Sequence, residues 1–265
     1  MRRTAKRSIG GLVLVWAFAC AGAANAQDAA VPDFSGLWER SADPGGRDFQ
    51  PPESGPGPIL REAGAGAFRI GDYTNPILQP HAAEAVKAHG DIGRAGTVVN
   101  PAWSYCEPSG VPLILNLADP IQILQDTDYV VIMNRGDSQV RRVSMNAGIP
   151  DDVRPSWYGY SVGHYEDGAL VIETVGLNDR TLVDRYGSPS SESLRVVERY
   201  TMNEDRSLIR VDFTVEDPSV FTTPWSAYVT YRPATEPFVE QICAENNFIP
   251  GDSTFQIPEE STPDF

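Results

Sequence analysis

Residues 157–175 read WYGYSVGHYEDGALVIETV, two runs rich in β-branched and aromatic side chains separated by Asp167-Gly168. That dipeptide tolerates the positive φ that a two-residue hairpin loop requires, so the stretch predicts a pair of antiparallel strands. Side chains alternate along an extended chain. Tyr158, Tyr160, Val162 and His164 therefore fall on one face of the first arm, and Trp157, Gly159, Ser161, Gly163 and Tyr165 on the other. Two phenols and an imidazole on one face fit a packed strand with satisfied tyrosines, and they equally fit a site for proton transfer.

Further short strands are expected at 121–125, 129–134, 139–146, 194–202, 207–216, 225–232 and 238–243, the last two as a pair, after an opening strand within 32–40. One helix is expected at 80–89, with Pro80 at its start and Gly90 as its stop. Residues 41–66 include PPESGPGP at 51–58. So many prolines and glycines cannot sustain a ladder of backbone hydrogen bonds, and the segment reads as a long surface loop lying over the mouth of any cavity as a lid. The fold class that follows is all-β: a single antiparallel barrel or strongly curved sheet with one short helix and long Gly/Pro-rich loops. No repeat at a blade or solenoid period is present.

Two strands carry information about faces. Ile209, Val211, Phe213 and Val215 share one side, against Arg210, Asp212 and Thr214, which is the alternation of a half-buried strand. Val196, Glu198 and Tyr200 oppose Arg195, Val197, Arg199 and Thr201, so polar groups fall on both sides. Cavity-lining strands and exposed edge strands both have this pattern.

The chain opens with Arg2, Arg3, Lys6 and Arg7, an apolar run over 9–20 and Ala24-Asn25-Ala26, the three regions of a secretory signal peptide. Cleavage is expected after Ala26, leaving residues 27–265 as one exported domain, periplasmic or secreted, that does not insert into the membrane. The mature chain then keeps 17 basic against 36 acidic residues, a formal charge of −19 in place of −15. A polyanion would bind against that field, which argues against nucleic acid as a partner and favours a small neutral or cationic molecule. Cys106 and Cys243 are the two cysteines of the mature chain. In an oxidising compartment such a pair reads as a disulfide, the other reading being two buried free thiols.

No Gly-x-Ser-x-Gly elbow, phosphate-binding loop or dinucleotide fingerprint is present. Ser161 and His164 would serve a Ser-His-Asp triad only if they shared a face, and alternation separates them. His81 and Glu84 share a face of the expected helix, but a metal centre needs more converging ligands, so neither metal nor cofactor is expected. What remains is acid–base chemistry on a small apolar or aromatic molecule. His164, Tyr160, Tyr158 and Glu173 are the candidate proton-transfer groups, and Trp157, Tyr165, Arg142, Glu198, Arg199, Tyr200 and Trp225 the candidate binding groups. A lyase or isomerase is the leading reading, with a non-catalytic carrier as the alternative.

DFSGLW at 33–38, CEPSG at 106–110, WYGYSVGHYEDGALVIET at 157–174, VERY at 197–200, DPSVFTTPW at 217–225 and EQICAEN at 240–246 together resemble a family of secreted bacterial proteins. The resemblance covers most of the mature chain and names no reaction, so it assigns no catalytic residue. The Gly36-Leu37-Trp38 opening is also similar to that of lipocalins. By fold analogy it implies a lipocalin-like barrel around a ligand cavity.

Overall fold

Among residues 31–41, 48–66, 68–97, 106–137 and 139–242, which the computed structural model describes, nine strands pair edge to edge into a closed barrel in sequence order. They are β1 (Gly36–Arg40), β2 (Ile121–Gln125), β3 (Tyr129–Asn134), β4 (Gln139–Met145), β5 (Tyr160–Glu166), β6 (Ala169–Val175), β7 (Arg195–Met202), β8 (Ile209–Glu216) and β9 (Trp225–Pro233). The expected all-β barrel is present, with one correction. An up-and-down sheet closes on itself only with an even number of strands, so nine strands force one parallel pair. That pair is β4 and β5. Residues 146–159 carry the chain from one end of the barrel back to the other, the long crossover that a parallel pair needs.

Alternation decides what fills the interior. Ile123, Val130, Val143, Leu170, Ile172, Val196, Val211, Phe213, Val229 and Tyr231 are buried along the inward faces. The half-buried pattern anticipated for β8 is what the strand shows, with every second residue buried. Trp38 is buried and its Nε1–H donates to the Phe34 carbonyl at 2.9 Å, so the Gly-x-Trp opening helps close one end.

The other end is closed by the segment read as a surface lid. Where β1 leaves the edge of β9, Gln50 exchanges backbone hydrogen bonds with Tyr228 at 3.1 and 2.9 Å, and the Ser226 N–H donates to the Pro56 carbonyl at 3.0 Å. Phe49 is buried beside Phe213 and Trp225, with ring centroids 4.8 and 6.4 Å away. The segment thus supplies missing wall and a plug. Periodicity could not reveal this, because only a few of its residues pair.

Helix α1 (Pro80–Arg94) runs past its expected stop. Gly90 is a contact surface, since a Cβ there would lie 3.1 Å from Ile70 Cγ2. Residues 238–242 form no strand, because both edges of β9 are already taken by β8 and β1. Residues 1–26, read as a signal peptide, and Cys243 lie outside the described residues, while Cys106 is disulfide-bonded. No helix of the described residues is long and apolar enough to cross a membrane.

Candidate functional site

The parallel seam is short. Only Val143 to Met145 of β4 pair with Ser161 to Gly163 of β5, so residues 139–142 have a partner on the β3 side alone. Gly159 produces the divergence. Its φ is +61°, and a Cβ there would lie 2.3 Å from the Val175 carbonyl oxygen, so the chain enters β5 pressed against β6 and away from β4.

The gap is a cleft of about 390 Å³ in the barrel wall. Tyr129, Arg142, Ser144, Tyr158 and Tyr160 form its sides, and Arg141 and Ser161 its floor. The Arg142 guanidinium lies 3.4 Å from the centre of the Tyr129 ring, a stacked cation that stiffens the rim.

Beneath the floor is a polar network inside the barrel. Arg141, only 4% exposed, makes a two-pronged contact with Glu198, which is fully buried. Its Nη1 donates to Glu198 Oε1 at 3.0 Å, its Nη2 to Glu198 Oε2 and to Thr174 Oγ1 at 2.6 Å, and its Nε to Ser161 Oγ at 3.1 Å. Ser161 and Thr174 share a further hydrogen bond of 2.9 Å, and the Tyr200 hydroxyl donates to Glu198 Oε1 at 3.4 Å. Burial works against the Arg141 charge, but the Glu198 carboxylate outweighs it and holds the guanidinium pKa above its ordinary value. Burial first, and then the Glu198 charge, push the Tyr200 phenol well up, so it is a hydrogen-bond donor and not an acid. Burial likewise raises Tyr231 to about 12.

The candidate residues scatter across this frame. Tyr158, Tyr160 and Arg142 meet in the cleft. His164 does not join them: it lies on the outer face, half exposed, with Nε2 3.3 Å from Glu166 Oε2. Arg199 is on the same outer face and donates to the Glu166 carbonyl at 3.2 Å. Glu173 is also outside, paired with Arg195 at 2.7 Å. Within β5 the alternation holds, and barrel closure turns the Ser161 and Gly163 side inward, which leaves Tyr160, Val162 and His164 on the outer side. The separation of Ser161 from His164 does hold.

Among the candidate binding groups, Glu198 and Tyr200 are buried in the network, and Trp225 in the aromatic plug. Tyr165 accepts a hydrogen bond from Gln125 Nε2 at 2.7 Å at the far end, and Trp157 carries Arg180 4.6 Å above its ring. Ser161 and Thr174 were not singled out as a pair. Their signal was available: they face each other across β5 and β6, each a small hydroxyl on an otherwise apolar inward row. No protein-family model matches this chain, and neither does any curated protein.

Proposed function

We propose that the protein is an exported small-molecule enzyme, a cofactor-independent lyase or isomerase that moves a proton on an apolar or aromatic substrate held in the seam cleft. One observation carries the reading: the cleft joins two phenols at its sides to a buried, permanently charged guanidinium at its floor. Glu198 holds Arg141 ionised, so a fixed guanidinium lies beneath the two phenols. Tyr158, whose ring packs against the core while it lines the cleft, is the proton-transfer group. Tyr160 donates to the substrate oxygen on which negative charge develops, and Arg142 with Tyr129 offers a flat surface to an aromatic ring. A lipocalin-type carrier would hold its ligand within the barrel, where buried side chains such as Trp225, Tyr200, Tyr231 and Phe213 lie instead.

Mature protein incubated with cell extract and followed by mass spectrometry is expected to consume a compound and form an isomer or elimination product. A compound recovered bound but unchanged would make the protein a carrier.

Export rests on the three-part leader, on the cysteine usage and on the resemblance to secreted bacterial proteins. With export goes a Cys106–Cys243 disulfide, which would stabilise by roughly 2–5 kcal/mol. Denatured, unreduced mature protein should take up no thiol label and reduced protein two. Uptake of two labels without reductant would exclude the bond.

A further inference from the structure

Arg61, Arg69 and Arg185 converge near the plugged end of the barrel around Asp48. Asp48 accepts from Arg61 Nη2 at 3.2 Å and from Arg185 Nη1 at 3.2 Å. Arg61 stands opposite Gly71 in a small hairpin whose register is set by Glu62 N–H to the Ile70 carbonyl, 2.8 Å, and Asp72 N–H to the Leu60 carbonyl, 2.9 Å. Arg69, two residues before Gly71, therefore lies on the same face as Arg61. Tyr186 covers that face. A Cβ on Gly71 would lie 2.6 Å from the Tyr186 Cβ, and Arg185 is its chain neighbour.

Two groups here are unfinished. Arg69 is half-buried and, among the described residues, makes no hydrogen bond or ion pair. Tyr186 is 3% exposed, and its hydroxyl makes no well-formed hydrogen bond, although Arg61 and Asp48 lie near enough for both to act on it. A buried hydroxyl without a well-formed hydrogen bond is unfavourable, and so is a half-buried guanidinium that shares its counter-charge with two other arginines. Burial, and then the like charge of Arg185, lower the Arg69 pKa to about 10, and Asp48 offsets only part of this. The nearby His89 carries no negative charge, and burial, then the Arg69 charge, lower its pKa. Asp184 is a second carboxylate near Asp48, so the local positive surplus is small, in a chain whose net charge is −15. General attraction of anions is therefore absent, and placed donors would have to do the binding.

We propose that this cluster binds a small oxyanion, a carboxylate or phosphate group, seated on Arg69 with Arg61 and Arg185 beside it and the Tyr186 hydroxyl donating. Planar guanidinium forks suit such a group, and Asp48 holds Arg61 and Arg185 in place to receive it. The cluster shares no residue with the seam cleft, so it stands or falls independently of the activity proposed there.

The test is calorimetric titration of the full mature chain with acetate, inorganic phosphate and chloride at constant ionic strength. Acetate or phosphate should bind one per chain, and the tighter of the two identifies the carboxylate or the phosphate source. Arg69→Met, which keeps the apolar stem, should weaken that binding roughly 10–100-fold. Tyr186→Phe, which removes only the hydroxyl, should weaken it roughly 2–10-fold. Arg206→Met makes the same charge change at the opposite end of the barrel, where Arg206 pairs with Asp33, and should leave binding unchanged. The proposal is overturned if neither anion binds more tightly than chloride, if Arg206→Met loses as much as Arg69→Met, or if Tyr186→Phe binds as the parent does.

Discussion

Glu198→Ala is expected to destabilise the barrel by about 3–5 kcal/mol, a large part of the stability of an ordinary domain. The substitution leaves Arg141 buried with its charge uncompensated. An arginine cannot escape by losing its proton, so the full desolvation penalty falls on the folded state. Thr174 and Ser161 still bond to two of its nitrogens, but neither hydroxyl carries charge. Glu198→Gln keeps an acceptor of the same shape and should fall between the parent and the alanine variant. Arg141→Met with Glu198→Leu removes both charges and should recover most of the loss, because an apolar pair of similar volume replaces a buried ion pair at little net cost. Urea unfolding followed by tryptophan fluorescence compares the stabilities of all four proteins. A Glu198→Ala loss below about 1 kcal/mol, or a double variant less stable than Glu198→Ala alone, would mean the interior pair is not what holds β4 to β7.

How far this architecture was legible depended on which physics each residue obeys. Alternation is a local property of extended backbone, so the β8 row and the split between Ser161 and His164 could be read from spacing alone. Which side of a strand faces inward is decided by closure. For β5 the decision goes against the phenols and the imidazole: once Ser161 and Thr174 hydrogen-bond inside, His164 must face solvent. The β7 pattern left a lined cavity and an exposed edge open, and the outcome is a third arrangement. Glu198 lines the interior because Arg141, on a strand far away in sequence, arrives to pair with it. Phe49 was hidden in a Gly/Pro-rich segment where composition outvotes a single aromatic residue. The seam itself depended on a count, since with nine strands closure requires a parallel pair, and the cleft opens where that pair is shortest.

Tyr158→Phe is expected to lower turnover by roughly 10²–10⁴-fold on the substrate that the extract screen identifies, with affinity within a small factor of the parent. The reasoning separates what the ring does from what the hydroxyl does. The Tyr158 ring packs against the core, and phenylalanine preserves that contact, so the fold and the shape of the cleft survive. What is lost is the hydroxyl proposed to exchange the proton in the cleft whose floor is Arg141. Tyr160→Phe should lower turnover less, by the roughly 10²–10³-fold typical of losing one donor to a developing oxyanion, because it removes stabilisation and leaves the proton path intact. His164→Ala should change nothing, since its side chain meets Glu166 on the outer wall. Steady-state kcat and KM for the three variants, with circular dichroism to confirm folding, decide the matter. If Tyr158→Phe kept full kcat while His164→Ala lost it, chemistry would lie on the outer face of β5. If Tyr158→Phe altered KM alone, the phenol would be a binding contact and another group would carry the proton.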